Sequence, residues 1–546
     1  MNRRTLLAAG TALATTGTWA AACDKNAGQA AGDGDPSTRA ASSASSASSA
    51  SDARSSSASA SASAGGTDGK PRASDWTALG KGLQGGLIRP GDADYATARQ
   101  LYNTRFDRLR PTAVAYVAGT SDISECLDFA RRHGTPVAIR NGGHSYAGWS
   151  SGDGRLVIDV SALKSIRTSS GEARIGAGAK LIDVYTTLGA SGVTVPGGSC
   201  PTVGISGLTL GGGHGVVSRA YGLTSDNLTG ATIVTADGRT LQVSKDREAD
   251  LFWALRGAGN GNFGVVTELR FRTHRAADGV TCYMTWPWSK AATVLKAWQK
   301  WGPDQPDEIW SALHLEASPG RTPTVSVSCF SLGTYGALQN AVDRLADGPG
   351  GPGPASRVIL RRRGYVEAMR AYAGCADTGT TQCHLPGDTP GRSSSGVLKR
   401  ETYAARSDFY ARSLSEAGLR AMLGQVEAYG RRTGGGGAVS IALTALGGAV
   451  NRVAPLATAF VHRRSRFLAQ YTASWAAGGA GTAQLSWLDG VHTAMRRHAS
   501  GAAYQNYTDA SLKDWRTAYY GSAADRLTKL KKRYDPNRLF DFPQAL

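Results

Sequence analysis

Residues 140–150 read RNGGHSYAGWS and follow directly on the apolar stretch Pro136–Ile139. A strand that runs into Gly142-Gly143 ends in a loop whose backbone N–H groups can converge on an anion such as a pyrophosphate, because no Cβ stands in the way. Ser145 adds a hydroxyl donor. His144 is harder to place, since a single loop histidine is more often structural or solvated than chemical.

Two further stretches share this character. Residues 196–215, PGGSCPTVGISGLTLGGGHG, are so rich in glycine that backbone must lie against a flat or charged ligand. Cys200 sits there among nearly bare residues, where a lone cysteine ordinarily packs as a small hydrophobe. The tract is not a dinucleotide unit of the usual kind, because no strand–GxGxxG–helix fits it. Residues 504–509, YQNYTD, hold two tyrosines three apart. They read either as a core pair or, in a polar site, as a general base whose pKa, about 10 when free, is lowered by its neighbours.

The chain around these motifs alternates strands and helices from about Thr77. Strands are expected over 112–117, 136–139, 155–160 and 173–177. Helices are expected over 122–133, with Ser121 as its cap, and over 181–190. Strands 231–235 and 241–243 join through a turn at Asp237-Gly238, and 264–271 follows. After about Thr273 longer strands, 282–286, 310–315 and 324–330, face helices 291–301 and 335–345. That texture predicts a second domain on an extended sheet. Residues 346–356 are a Gly/Pro loop, and a closing helix covers 523–534. The resulting division is 73–275, 276–498, and a segment 499–546 that returns to the first domain. No fixed-period repeat interrupts it.

With 546 residues, 41% hydrophobic and 19% charged, the chain has a core to bury, and 70 glycines favour turns and close backbone approaches. The net charge of +19 does not indicate a nucleic-acid partner, because basic residues are interleaved with acidic ones. A basic exterior suits anionic envelope material instead. Residues 1–23 read as an export signal: Arg3-Arg4 precede the apolar run Leu6–Ala22, a twin-arginine arrangement suited to proteins that fold around a cofactor before export. Ala20-Ala21-Ala22-Cys23 resembles a lipobox. Either Cys23 carries lipid and tethers the chain to the outer face of a bacterial membrane, or cleavage falls near Ala22; both readings put the protein outside the cytoplasm. Residues 24–72 are a Ser/Ala-rich tether unable to fold. Among seven cysteines, Cys375 and Cys383 lie close enough in a polar loop to bridge, and Cys282 with Cys329 is a second candidate pair. No His/Cys cluster has zinc spacing, so no metal is expected. Nothing in the sequence speaks to oligomeric state.

In combination, RNGGHSYAGWS, GGSCPTVGISGLTLGGGHG, YQNYTD and the closing YDPNRLF (534–540) resemble the berberine-bridge-enzyme-like FAD-linked oxidases. These belong to the wider vanillyl-alcohol-oxidase, or PCMH-type, flavoproteins. The resemblance runs over roughly residues 77–546. It implies an α+β, two-domain FAD-binding fold of that type, with a substrate domain built on an extended antiparallel sheet backed by helices. It implies FAD attached twice, by His144 at the flavin 8α-methyl and by Cys200 at C6. Arg140, Asn141, Gly142, Gly143 and Ser145 would meet the cofactor, chiefly its pyrophosphate. Thr202, Gly204, Gly207 and Val266 would line the flavin and its tail, and Asn506 would support it. Val203 matches the family's oxygen gate, and its small side chain implies access for O2. Tyr507 matches the catalytic base and Tyr504 its substrate-facing partner. His214 departs from the Tyr or Phe that many relatives carry; it either alters the floor or protonation of the substrate site or is a bland surface exchange.

The implied reaction has Tyr507, as phenolate or beside a cation, remove a hydroxyl proton from a small-molecule substrate while hydride passes to the flavin. O2 then reoxidises the flavin to give H2O2. Export favours an extracellular alcohol such as an oligosaccharide hydroxyl. Oxidative tailoring of a secreted secondary metabolite is an alternative within enzymes. A surface-tethered binding protein on a catalytically dead scaffold is the alternative outside them, and His144, Cys200 and Tyr507 together argue against it.

Overall fold

The computed structural model describes residues 69–259 and 261–546. The export signal, Cys23 and nearly all of the Ser/Ala tether lie outside the described residues.

The strands Ala113–Tyr116, Val137–Arg140 and Leu156–Asp159 are short and largely apolar on both faces, as buried parallel strands require. The first two pair in parallel with the third between them, and Gly86–Ile88 adds an antiparallel edge. Arg140 and Asp159 are register partners at the strand ends and form a buried ion pair. The loop 141–150 therefore starts from a clamped carboxyl end, the edge at which open sheets of this kind present ligands. The helix Thr120–His133 is capped at Gly119, and Ser121, expected as the cap, lies inside its first turn. Asp122 takes over that end by accepting from the backbone N–H groups of Gln84, Gly85 and Ala118.

A five-stranded antiparallel sheet continues the first domain in the order Ile166–Ser169, Glu172–Gly176, Val265–Arg272, Leu228–Val234, Thr240–Ser244. Gly238, at φ +84°, makes the expected turn between the last two.

The second domain is a seven-stranded antiparallel sheet. Its strands run in the order Arg357–Arg363, Gly279–Trp286, Thr324–Ser331, Ile309–Ala317, Ala438–Ala445, Phe467–Ser474, Tyr403–Tyr410. Side chains alternate across a strand with period two. Leu313, Leu315, Val325, Val327, Ile441 and Leu443 therefore share one core with the backing helices, among them Ala291–Trp301, Glu416–Gly430 and Thr482–Arg496. The other face is turned toward the first domain. Cys375 and Cys383 are joined by a disulfide. Cys282 and Cys329, the other candidate pair, are cross-strand neighbours but remain buried thiols. Burial pushes both thiols up, Cys282 to about 12, which suppresses the thiolate that disulfide formation needs.

The closing segment docks back on the first domain through one buried cation. Lys531 Nζ pairs with Asp535 at 2.7 Å and donates to the carbonyls of Asn262 and Phe540. Asp535 in turn accepts from the N–H groups of Leu539 and Phe540. Lys531 and Asp535 are 2% and 0% exposed. Asp535→Ala should strand the ammonium and destabilise the protein by about 3–5 kcal/mol. Chemical denaturation read by tryptophan fluorescence checks this; an unchanged midpoint contradicts the anchoring role.

Candidate functional site

A cavity of about 310 Å3 lies between the loop 140–146, the glycine tract, the turn around Tyr507 and the inner face of the seven-stranded sheet. Its floor depends on a backbone crossing. A Cβ on Gly142 would stand 2.5 Å from the Thr202 carbonyl oxygen and 2.6 Å from the Gly204 nitrogen. The Asn141 side chain fills the place a Cβ on Gly204 would take. Its amide donates to Ala177 O and Ser206 Oγ, and its oxygen accepts from Lys180 Nζ at 2.8 Å. Lys180 also donates to Ser161 Oγ, and burial lowers its pKa to about 8. A cation thus stands directly behind the loop.

Gly143, at φ +69°, turns the chain so that His144 faces the cavity. The imidazole stacks on Tyr102 at 4.0 Å, and its Nε2 is hydrogen-bonded to Thr202 Oγ1 at 2.8 Å. Burial, with the Lys180 charge adding to it, pulls the His144 pKa down to about 3. Cys200 lies on the same cavity wall.

Arg140, Asn141, Gly142, Gly143, Ser145, Val203, Gly204, Gly207, Val266 and Asn506 also line this cavity. The Arg140 Nε pairs with Asp159, and Ser145 Oγ accepts from the Trp149 N–H. Thr202, expected to line the flavin, is not on the wall but behind His144, because its hydroxyl holds that ring.

The two tyrosines sit at a tight turn, Gln505–Tyr507. The Tyr504 ring edges the cavity, and its hydroxyl is engaged as an acceptor. It accepts from the Gly213 N–H and from Asn506 Nδ2, both at 2.9 Å, and burial raises its pKa to about 12. Tyr507 is stacked on Tyr146 at 5.2 Å, and its hydroxyl is hydrogen-bonded to His214 Nε2 at 2.8 Å. Among the described residues no cation acts on it: burial first, then Tyr146 and Tyr504, push its pKa well above 10. His214 lines the cavity, which removes the reading of a surface exchange.

Sequence reasoning expected the second domain's sheet to face the substrate but named none of the residues of this roof. Trp310, Ala312 and His314 alternate along one strand, Ala312 faces Thr444 and His314 faces Ala442 on the next, and Ala442 faces Gln470 on the one after. The period-two pattern in 310–315 was the available signal. Gln470 Nε2 donates to Tyr146 Oη at 2.8 Å, tying the roof to the RNGGHSY loop.

The wall suits a flat, charged dinucleotide. A Cβ on Gly207 would meet nothing within 4 Å, so this backbone faces open cavity. Ser150 Oγ is buried on the wall without a hydrogen-bond partner, an atom that a ligand would satisfy.

Comparison with known proteins agrees. Residues 111–244 match the family described as FAD binding domain, and residues 503–546 match berberine and berberine like. An uncharacterized FAD-linked oxidoreductase, YgaK of Bacillus subtilis, is 30% identical over 470 residues, covering 85% of this chain and 97% of its own. The chitooligosaccharide oxidase of Gibberella zeae is 30% identical over 473 residues, 82% of this chain and 89% of its own. The solved structure of Physcomitrella patens BBE-like 1 superposes with a TM-score of 0.78 at 30% identity, covering 86% of this chain and 98% of that one.

Gly142→Ala should therefore empty the site, because its Cβ meets backbone that cannot give way. The flavin absorbance of the purified variant should fall to less than about a tenth of the wild-type ratio at 450 against 280 nm. Full flavin content would contradict the crossing as the determinant of the cradle.

Proposed function

This chain belongs to the berberine-bridge-enzyme-like FAD-linked oxidases, and we propose that it oxidises a hydroxyl of an oligosaccharide, with O2 as final acceptor and H2O2 as product. The observation that carries the substrate class is the roof. Trp310, Tyr372 and Tyr403 line it with aromatic rings, His314, Thr444 and Gln470 add polar side chains, and no charged residue stands among them. Trp310 Nε1 is buried without a partner, a donor ready for a ligand hydroxyl. Such a surface suits a neutral, polyhydroxylated molecule, and the similarity to a chitooligosaccharide oxidase supports it.

The reading extends to the cofactor and the location. His144, held neutral, keeps a nucleophilic ring nitrogen for attachment at the 8α-methyl, and the family resemblance makes Cys200, on the same wall, the second anchor. Bound FAD supplies the two-electron acceptor. The chain's own residues hold the substrate against the roof, receive its hydroxyl proton at Tyr507 Oη, and leave room for O2 beside the small Val203. The Arg3-Arg4 signal supports action outside the cytoplasm, with Cys23 a candidate tether.

The test is peroxide release from the purified yellow protein with chito-, xylo- and cello-oligosaccharides against aromatic alcohols, alongside acid precipitation. Sugar-dependent peroxide and a pellet that stays yellow are expected. Turnover of the aromatic alcohols alone would overturn the substrate class, and colour lost to the supernatant would overturn covalent attachment. Tyr507→Phe should keep the flavin spectrum and lose about 10²–10⁴-fold in kcat.

A further inference from the structure

Tyr507 is placed to receive a proton but is badly placed to act alone. Its hydroxyl is buried against Tyr146, Tyr504 and Tyr403, and among the described residues neither a carboxylate nor a cation acts on it. A neutral phenol can accept a proton only if it can pass its own onward. The hydrogen bond to His214 Nε2, at 2.8 Å, is the exit that the described residues provide.

We propose that His214 and Tyr507 form a proton-accepting dyad, in which the proton of the substrate hydroxyl moves to Tyr507 Oη as the Tyr507 proton moves to His214 Nε2. This rests on the reading that a hydroxyl is oxidised. The balance closes: the carbon gives up hydride, with both electrons, to the FAD; the oxygen gives up a proton; a carbonyl forms and the imidazole becomes imidazolium. His214 is equipped for this. Burial alone, with no charged group contributing, lowers its pKa to about 4, so the ring is neutral and able to accept at neutral pH. The other groups facing it are the uncharged Tyr504 and Tyr507 rings, at 5.4 and 5.7 Å. Its Nδ1 is buried without a hydrogen-bond partner and carries the proton when Nε2 accepts. A weak base suffices because departure of hydride makes the substrate hydroxyl strongly acidic.

The sign of the pH dependence separates this arrangement from a phenolate base. Protonated His214 cannot accept, so flavin reduction should be constant from neutral pH to alkaline pH and fall as pH drops through about 4. A phenolate base would make the rate climb toward pH 10 and beyond.

Two measurements on the holoenzyme test the dyad. Nitrogen-15 histidine NMR, with His214→Gln to assign the signal, should show His214 as the neutral Nδ1–H tautomer whose Nε2 resonance shifts in Tyr507→Phe. A Nε2–H tautomer, or no response to Tyr507→Phe, overturns the proposal even if no sugar is turned over. The second is anaerobic flavin reduction by the best oligosaccharide of the panel. Gln can keep a hydrogen bond but cannot take the proton, so His214→Gln should slow reduction about 100-fold, with KM and flavin content within a few-fold and the acid limb gone. A rate within about threefold of wild type, or a wild-type rate rising toward pH 10, overturns it. Absence of any sugar reduction beside the expected tautomer would remove the substrate reading and leave the dyad standing.

Discussion

The site exists because two stretches of backbone cross with nothing between them. Gly142 lies against the Thr202 carbonyl and the Gly204 nitrogen, and Asn141 occupies the space a side chain at 204 would need. This crossing puts the loop that carries His144 and the tract that carries Cys200 on one wall, although 56 residues separate them, by 200 − 144. Cβ-bearing residues at 142 or 204 would drive the segments apart by more than side-chain repacking can absorb. Lys180, reaching Asn141 and Ser161 from behind, fixes the crossing and brings a positive charge near the loop.

Charge elsewhere is used to fasten segments rather than to do chemistry. Arg140–Asp159 clamps a strand end, Arg463–Asp226 joins the turn Thr224–Asn227 to the loop before the strand Phe467–Ser474, and Lys531–Asp535 docks the closing segment. Buried pairs of this kind return little net stability against their desolvation, yet leaving one partner alone is costly, so they specify a single arrangement. Among the described residues, the substrate half of the cavity carries no charged side chain. A neutral pocket avoids repelling or over-binding a neutral ligand, and it obliges proton transfer to run between groups that are uncharged at rest.

The parts of this architecture that were legible in the sequence are those encoded locally. The helices 181–190 and 291–301 match their apolar periodicity, and the Asp237-Gly238 turn is encoded in two residues. The strands Ala438–Ala445 and Phe467–Ser474 were missed, since their small and polar residues facing the cavity blur the alternation that marks a strand. The motifs located the floor of the site. They did not locate its roof, because Trp310, His314, Thr444 and Gln470 come from three strands and become neighbours only through sheet register. Thr202 and Tyr504 illustrate a further limit: a motif places a residue near the site without telling which way its hydroxyl points.

His214 shows the same limit most sharply. Its role depends on a partner 293 residues away, a pairing that no local pattern can announce. The structure makes that pairing rigid before any substrate arrives. Asn506 Nδ2 donates to Leu208 O, and the Gly213 N–H donates to Tyr504 Oη, so the glycine loop and the tyrosine turn are laced together on both sides of the His214–Tyr507 contact. Thr224 holds the loop from beneath through the Gly213 carbonyl. Gly212 and Gly213, at φ +119° and +80°, bend the chain so that residue 214 projects into the cavity. A donor and an acceptor held this way lose little entropy when a proton moves between them, which is the advantage of a preorganised site over one that assembles around its ligand. The Tyr504 hydroxyl is part of this frame: by accepting from the Gly213 N–H it holds the loop that carries His214.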